Sequence, residues 1–531
     1  MSDQAGAAVA DRSLAAWRLH TGREVDSGAL RAELAAGSLP AAFHATAVAH
    51  GDRPALSVDG DSMTHGELDA VVAGVAARLR DMGAVPGTAV AINAPTSMSL
   101  VVAYVGALRT GATVVLSNPT YTEPELRHIV ADSAATVAIG AGPGGGHLRR
   151  IAADRDRRLA IVELGALVDG AAGAAGLPVP AVGSDDVALL AYTSGTTGTP
   201  KTVPLTHGNL LSSIRAAMLA WRWSADDVLV HALPLFHQHG LGGVHATLLA
   251  GSRAVIASRL DPAALLETVA TAPATVLFAV PAIYERLLAA QDADVSALRT
   301  PRLLVSGSAP LSPALSERVA AVAGRPPLER YGTTESGLDV SHAYDGDRQA
   351  GTVGVPLPGV ELLIADDEGR PVDDGEDGEI LLRGPQVFAG YRGGDAGAEA
   401  FRPGGWFRTG DIGRIGPADG VLQITGRAKD LIITGGMNVY PREVGLVLER
   451  APGVGRAAVV GVPSERWGEE VVAVVVASAG AEVDGDAVMS YARGRLAPYK
   501  CPKRVVVVDE LPSNAMGKVV TSEVVRLAGH S

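Results

Sequence analysis

Apolar positions recur at helical spacing along much of the chain, and each such stretch is followed by a short apolar run typical of a strand. Residues 68–82 place their apolar positions on one helical face, Gly83 is a suitable stop, and residues 88–93 follow as a strand. The same order recurs at 125–133 with 136–139, and at 262–271 with 275–279. This alternation predicts an α/β fold in which helices cover parallel-rich sheets.

The pattern changes at about residue 353, where short strand-like runs alternate with Gly and Asp turns. The runs at 361–365, 379–383 and 421–425 predict a β-rich subdomain over about 353–426. Beyond the Gly- and charge-rich stretch 426–430, helices are predicted at 441–449 and 486–496, with strands at 454–462 and 471–477. We therefore predict an N-terminal extension (1–39), a large domain (40–426), a hinge (427–430) and a small mobile α+β domain (431–531).

Composition and charge narrow the function classes. The chain has 531 residues, 47% of them hydrophobic and 19% charged, which is incompatible with global disorder. A net charge of −13 argues against non-specific binding to nucleic acid or anionic membranes. Its one cysteine, Cys501, excludes an intrachain disulfide, and its apolar runs are shorter than the ~20 residues a bilayer requires. No signal peptide is apparent, so we expect a cytoplasmic protein without a membrane span.

A glycine- and hydroxyl-rich loop follows the apolar run at 187–191 and reads YTSGTTGTPK over residues 192–201. Glycines allow close backbone approach to an anion, hydroxyls donate to phosphate oxygens, and Lys201 adds a positive charge. The loop approaches the P-loop spacing, but Pro200 stands where that motif needs its second glycine. Proline lacks an N–H and has a fixed φ, so a P-loop nucleoside triphosphatase is disfavoured.

Two other chemistries find little support. His237 and His239 form an H-x-H pair, but a zinc site needs three or four ligands and Cys501 is distant in sequence. The run Ser306-Gly307-Ser308-Ala309 is not a G-x-S-x-G nucleophile elbow. Neither a zinc site nor a hydrolase is therefore predicted.

The loop resembles the phosphate-loop signature of the adenylate-forming superfamily, which contains acyl-CoA synthetases, luciferases and peptide-synthetase adenylation domains. Further stretches match that family's motifs in order: ALPLFH at 232–237, YGTTE at 331–335, WFRTGD at 406–411, GRAKD at 426–430, GGMNVYP at 435–441, and LP through GK at 511–518. The resemblance covers roughly residues 40–525 and is strongest to the acyl-CoA synthetase branch.

The resemblance implies a two-step reaction that uses ATP, Mg²⁺ and CoA. A carboxylate attacks the α-phosphorus of ATP to give an acyl-adenylate and pyrophosphate, and the CoA thiol then displaces AMP. Such an enzyme is an AMP-forming acid–thiol ligase. In this family the C-terminal domain rotates between the two steps, and Lys429 occupies the hinge position.

The resemblance also implies a role for individual residues. The residues that it implies for nucleotide binding are Thr193, Ser194, Gly195, Thr196, Thr197, Lys201, Tyr331, Gly332, Thr333, Asp411 and Arg427. The catalytic group comprises Lys518, Thr334, Glu335 and His237, with Glu335 and Thr196 at the metal. The acyl pocket draws on Val280, Ser308 and Ala309 beside His237, and CoA passes Gly435 and Gly436. Lys500, Lys503 and Arg504 are candidates for the CoA phosphates.

The acid and the acceptor stay open at this stage. Residues 233–240, 305–310 and 351–359 resemble malonyl-CoA synthetases, and a dicarboxylate would need a further cation, for which Arg286 and Arg318 are candidates. Fatty and aryl acids would need only apolar walls. Thr202 and Gly445 depart from the family pattern.

The alternatives to CoA ligation are of two kinds. One is an adenylate-forming enzyme of specialised metabolism with an amine or carrier-protein acceptor, or an unusual acid such as nitrite. The other is a non-catalytic nucleotide-binding regulator, which would have no use for Lys518.

Overall fold

The computed structural model describes residues 3–154, 159–172, 176–193, 201–291, 293–393, 399–434, 437–464, 466–478, 480–514 and 517–529. Within these ranges the helices α1 to α16 are Asp3–Thr21, Ser27–Ala35, Leu39–Ala49, His65–Asp81, Met98–Arg109, Glu123–Ser133, Gly142–Ala152, Leu164–Val168, His207–Ala220, Gln238–Ala250, Pro262–Thr271, Pro281–Leu288, Pro313–Ala323, Pro441–Leu448, Gly485–Arg493 and Thr521–Gly529.

The strands fall into four sheets. In the same ranges, β1 to β25 are Pro54–Val58, Asp61–Thr64, Ala89–Asn93, Thr113–Ser117, Val137–Gly140, Ala160–Glu163, Val187–Thr193, Lys201–Thr206, Val228–His231, Arg253–Ile256, Val276–Ala279, Leu303–Ser306, Leu328–Tyr331, Val340–Ser341, Val355–Pro356, Glu361–Ala365, Gly378–Arg383, Phe401–Arg402, Trp406–Ile415, Leu422–Arg427, Ile432–Thr434, Met437–Val439, Val454–Ser464, Gly468–Ala477 and Arg504–Val508.

Two large sheets form the N-terminal part, as the helix–strand alternation predicts. The first has nine strands in the order β15-β14-β13-β12-β11-β9-β10-β1-β2, and the second has six in the order β6-β5-β3-β4-β7-β8. Most neighbouring strands are parallel, and antiparallel pairs lie at the edges, among them β1–β2, β13–β14 and β7–β8. The predicted α/β fold with parallel-rich sheets is therefore confirmed.

The third and fourth sheets are smaller. Strands β16 to β20 form an antiparallel sheet that matches the predicted β-rich subdomain. Strands β21 to β25 form the C-terminal sheet, whose apolar cluster around Val444, Val475 and Val488 is separate from the main core. The active-site candidates lie where these smaller sheets meet the nine-stranded sheet.

The N-terminal helices α1 and α2 dock on the β-rich subdomain. The Trp17 indole N–H donates to the carbonyl oxygen of Val360 at 3.0 Å, and Arg31 forms an ion pair with Glu361 at 2.9 Å. Both contacts fall beside β16. None of the helices in the described ranges combines the length and apolar character needed to cross a bilayer.

Candidate active site

A cleft of about 480 Å³ opens between the nine-stranded sheet, the β-rich subdomain and the C-terminal domain. We call it the interdomain cleft. Residues from all three parts line it, among them Ser308, Tyr331, Asp411, Arg427 and Lys518. The fold therefore gathers residues that are more than 200 positions apart along the chain.

Asp411 lies at the centre of a buried polar group in this cleft. Its Oδ2 accepts a hydrogen bond from the Tyr331 hydroxyl at 2.7 Å, and its Oδ1 pairs with Arg427 Nε at 2.7 Å. Asp411 and Arg427 face each other in the register of β19 and β20, which explains the short ion pair. Burial, together with the Asp411 charge, raises the pKa of Tyr331 well above its usual range. The phenol thus stays a donor, and the carboxylate keeps lone pairs for further donors such as vicinal hydroxyls.

The turn after β13 is held by side chains from outside the YGTTE stretch. Thr333 Oγ1 lies 2.8 Å from Ser336 Oγ, which in turn donates to Asp339 Oδ2 at 2.5 Å. Gln238 Nε2 donates to the Thr334 carbonyl oxygen at 2.7 Å. A Cβ at Gly332 would stand 1.8 Å from a backbone oxygen, so only glycine fits there. These contacts fix the backbone that carries Thr334.

Lys201 and Glu335 lie on either side of Tyr391, which belongs to none of the motifs recognised in the sequence. The Lys201 ammonium is 4.6 Å from the centre of the Tyr391 ring, and the Tyr391 hydroxyl donates to Glu335 Oε1 at 2.7 Å. Thr193 ends β7 opposite Lys201 in the register of the β7–β8 hairpin. The predicted phosphate-loop residues Ser194, Gly195, Thr196 and Thr197 lie outside the described residues.

Thr202, which departs from the family pattern, has a defined partner. Its hydroxyl donates to Asp132 Oδ2 at 2.7 Å, and the Tyr192 hydroxyl donates to the same oxygen at 2.9 Å. Tyr192 and Thr202 face each other across the β7–β8 hairpin. The carboxylate of Asp132 therefore ties the two strands of the hairpin together, and the threonine contributes to its geometry.

Lys518 enters the interdomain cleft on a turn of the C-terminal domain. Its backbone N–H donates to Asn514 Oδ1 at 3.1 Å, and Gly517 before it adopts φ +70°. A Cβ at Gly517 would lie 2.9 Å from Ala282 Cβ, so this turn packs directly on the start of α12. Burial and the charge of Arg427 lower the pKa of Lys518 to about 8, with Asp411 opposing them. The lysine is thus a partly desolvated cation that lines the cleft close to the Asp411 group while keeping contact with solvent.

A second cavity, of about 50 Å³, lies beside the interdomain cleft, and we call it the acyl cavity. Its walls include Trp221, Trp223, His239, Phe278 and Arg330. Arg330 lines both the acyl cavity and the interdomain cleft, so its guanidinium stands at the boundary between them.

Arg330 is a buried cation without an ion-pair partner among the described residues. Its Nε has no hydrogen-bond partner in the described part of the chain, and a Cβ on Gly307 would stand 2.4 Å from that atom. The guanidinium therefore lies against the backbone of Gly307. Burial lowers the pKa of Arg330 to about 10, with Asp339 opposing the shift, so the side chain is positively charged at neutral pH.

His239 and Ser308 stand next to this cation. His239 Nδ1 lies 3.1 Å from Ser308 Oγ, while its buried Nε2 has no partner within the residues that the structure describes. Burial, with Arg330 adding to it, lowers the pKa of His239 well below its usual range, which keeps the ring neutral. The acyl cavity thus offers one cation and neighbouring neutral hydrogen-bonding groups.

The other predicted acyl-pocket residues differ in their placement. Ser308 and Ala309 line the interdomain cleft. Val280 is buried at the N-cap of α12. His237 precedes α10 with its ring centre 4.5 Å from that of Phe236, and burial lowers its pKa to about 4. The histidines that line the acyl cavity are His239, two residues further on, and His245.

Several predicted cations lie elsewhere. Arg286 and Arg318 are exposed on α12 and α13 and line neither cavity, so their suggested role as partners of a second carboxylate is wrong. Arg330, which lines both cavities, was not among the predicted cations. Lys500 pairs with Glu443 at 2.6 Å within the C-terminal domain. Nearby, Lys503 donates to Pro498 O at 3.4 Å and Arg504 to Ala528 O at 2.7 Å.

Of the residue predicted for the hinge and the two glycines predicted for CoA binding, the structure describes only the hinge residue. Lys429 is exposed in the short 3₁₀ helix Ala428–Asp430 that follows β20. Gly435 and Gly436 lie outside the described residues.

The chain resembles known enzymes in sequence over most of its length. The AMP-binding enzyme family matches residues 43–392, and the AMP-binding enzyme C-terminal domain matches residues 443–518. The chain is 39% identical over 496 residues to a feruloyl-CoA synthase from an Amycolatopsis species, covering 92% of this chain and 96% of that protein. It is 33% identical over 494 residues to an oxalate–CoA ligase from Arabidopsis thaliana, covering 88% and 94%.

A solved structure shows the same architecture. ATP-bound MatB from Rhodopseudomonas palustris superposes with a TM-score of 0.85 at 37% identity, covering 92% of this chain and 98% of that one. The similarity therefore extends over nearly the whole chain and includes the C-terminal domain.

Proposed function

We propose that this chain, which belongs to the AMP-binding enzyme family and is an ATP-dependent carboxylic acid–CoA ligase, activates a short acid that carries a second acidic group. The observation that carries the proposal is the buried guanidinium of Arg330 between the interdomain cleft and the acyl cavity. Its Nε has no partner among the described residues.

An unpaired charge is costly to bury, so a binding site that keeps one is expected to receive the opposite charge from its ligand. A guanidinium matches a carboxylate in shape and can donate two parallel hydrogen bonds to it. The acyl cavity, at about 50 Å³, is small and would suit a short acid. Neutral His239 and Ser308 add hydrogen-bonding groups without cancelling the Arg330 charge. The unpaired charge of Arg330 and the small acyl cavity together favour a dicarboxylate over fatty or aryl acids.

We assign the nucleotide to the interdomain cleft. Asp411 would accept hydrogen bonds from the ribose hydroxyls while Arg427 and Tyr331 hold its carboxylate in place. Lys201 and the loop 194–200 would take the β- and γ-phosphates, and Thr334 the α-phosphate. This arrangement would bring the α-phosphorus between the acid and Lys518, whose charge would offset the negative charge that develops as the carboxylate attacks.

Mg²⁺ fits this assignment through Glu335. The ion usually binds proteins through one or two carboxylates together with substrate phosphates, and it neutralises phosphate charge when bound. Glu335 Oε1 accepts from Tyr391, and no described residue donates to its Oε2. Glu335 would therefore hold the ion with that oxygen, and Thr196 is the further candidate from the sequence.

The second half-reaction requires the CoA thiol to reach the acyl carbonyl. We propose that rotation about Lys429 withdraws Lys518 and brings the Gly435-Gly436 stretch to the cleft, where glycines would let pantetheine pass close to the backbone. The exposure of Lys429 supports a pivot there.

The direct test is CoA-dependent release of AMP from ATP·Mg²⁺ across malonate, methylmalonate and succinate, their monocarboxylate counterparts of equal length, fatty acids and ferulate. We expect dicarboxylates to exceed the matched monocarboxylates in kcat/KM by at least about 100-fold, the scale of losing a partner to a buried charge. Equal rates for the two classes would contradict the proposed acid. Hydroxylamine trapping without CoA would reveal an adenylate, and a trapped adenylate that CoA does not consume would indicate another acceptor.

The pKa of Lys518 gives a second test. Because the pKa is lowered to about 8, the amine loses its proton as the pH rises through that value. We expect kcat/KM of ATP in adenylate formation, which reports the free enzyme, to fall above about pH 8. In Lys518→Arg the cation persists to about pH 12, so this decline should be absent. A wild-type profile that stays flat up to about pH 9.5, where such a lysine is mostly neutral, would contradict the role.

A further inference from the structure

Tyr391 stands between two opposite charges of the active site. The Lys201 ammonium lies 4.6 Å from the centre of its ring, and its hydroxyl donates to Glu335 Oε1 at 2.7 Å. Lys201 and Glu335 form no ion pair with each other in the described structure. One aromatic side chain thus contacts a cation through its face and an anion through its polar tip.

The backbone around Tyr391 is fixed to both neighbours. The Phe388 N–H donates to the Glu335 carbonyl oxygen at 2.9 Å, and the Arg392 N–H donates to the Thr202 carbonyl oxygen at 3.1 Å. Phe388 also packs edge-on against the Tyr391 ring, with 4.9 Å between the ring centres. The tyrosine is therefore tied to the turn that carries Glu335 and to the strand that begins with Lys201.

We propose that Tyr391 is a positioning residue that keeps Lys201 and Glu335 apart, so that the lysine is available to the phosphates of ATP and the carboxylate to the accompanying Mg²⁺. The inference rests on the proposed function, because it takes the roles of Lys201 and Glu335 from there.

The physical basis is competition between charges. A lysine on a flexible stem next to a carboxylate forms an ion pair, and ATP·Mg²⁺ would have to break that pair before binding either group. The Tyr391 ring attracts the ammonium without neutralising it, and this attraction is weaker than that of a polyphosphate. The hydroxyl occupies only one carboxylate oxygen.

Two substitutions separate the two contacts. Tyr391→Phe keeps the ring under Lys201 and removes the hydrogen bond to Glu335, whereas Tyr391→Leu removes both. We expect Tyr391→Phe to bind Mg²⁺-free ATP within about twofold of wild type in calorimetry, but to need about 3–10-fold more Mg²⁺ for half-maximal adenylate formation, the scale of one lost hydrogen bond to a charged group. Tyr391→Leu should in addition weaken binding of Mg²⁺-free ATP by about 5–10-fold, because Lys201 then pairs with Glu335.

A double variant isolates the cause of that weakening. In Tyr391→Leu combined with Glu335→Gln, the competing carboxylate is gone, so binding of Mg²⁺-free ATP should return to within about twofold of wild type. A general loss of structure would not be repaired by a second substitution. Tyr344→Leu is a matched control, since it removes another half-buried tyrosine that contacts Arg222 and Arg302 away from this site, and it should leave both measurements unchanged.

The outcomes separate this inference from the proposed function. Unchanged ATP binding and Mg²⁺ dependence in Tyr391→Leu would overturn the role of Tyr391, as would weakened ATP binding that Glu335→Gln fails to restore. Normal ATP binding in Lys201→Ala, or normal Mg²⁺ dependence in Glu335→Gln alone, would instead overturn the proposed roles of those two residues. Thermal unfolding of each variant shows whether the fold is retained.

Discussion

Replacement of Lys518 by alanine is expected to slow acyl-adenylate formation by about 10²–10³-fold, the effect of removing one preorganised group that stabilises developing charge. The lysine lies in the interdomain cleft with Arg427 and Asp411, where partial desolvation strengthens its interaction with a negatively charged transition state. Substrate binding should suffer far less, because Asp411, Arg427 and Lys201 remain in place. Calorimetry with ATP should therefore give a Kd within about threefold of wild type.

The two half-reactions can be measured separately. Hydroxylamine trapping reports adenylate formation, and a synthetic acyl-adenylate supplied with CoA reports thioester formation, which Lys518→Ala should leave nearly unchanged. Lys518→Arg keeps the charge and should retain more of the first step than alanine does. Wild-type activity in Lys518→Ala would contradict the assignment, and an equal loss in both half-reactions would indicate a structural role.

Local sequence signals were sufficient to predict most elements but not their ends. The helix predicted at 68–82 runs over His65–Asp81, because the Thr64 hydroxyl accepts the Glu67 N–H while the Glu67 carboxylate accepts the Thr64 N–H. This capping box begins the helix before its first apolar position at Leu68. Contacts between residues far apart in the chain could not be predicted from local sequence. The contact of Trp17 with Val360 spans 343 positions, and nothing near Trp17 in sequence indicates it.

The residues of the candidate site likewise include some that sequence motifs predict and one, Arg330, that they do not. Asp411, Arg427 and Lys518 belong to recognisable motifs, and the fold brings them into one cleft. Arg330 was missed because it lies in a four-residue strand, Leu328–Tyr331, in which all four residues are buried. Sequence patterning alone does not show that a charged residue in a strand lacks a partner. The sequence signal that was available is the adjacent pair Glu329 and Arg330, an acidic and a basic residue within one short strand.

Arg330→Met is expected to lower kcat/KM for a dicarboxylate by about 10²–10³-fold while leaving the monocarboxylate of equal length within about threefold of wild type. Methionine fills a similar volume without a charge, so the distal carboxylate of the acid would be buried without a partner. Removing an unpaired buried cation should also leave the free energy of unfolding unchanged or raise it. A selective loss without loss of stability would therefore reflect recognition of the acid.

The matched control is Arg318→Met, which makes the same chemical change at an exposed position of α13 that lines neither cavity. It should leave kcat/KM for both acids unchanged, because its charge is screened by solvent and distant from the acyl cavity. Equal losses for dicarboxylates and monocarboxylates in Arg330→Met would contradict a role in selecting the acid. Such a result would assign the guanidinium to the nucleotide side of the boundary, because Arg330 also lines the interdomain cleft. The KM for ATP would then rise together with the loss of activity. Comparing the change in the KM for ATP with the change in the KM for the acid therefore decides which cavity Arg330 serves.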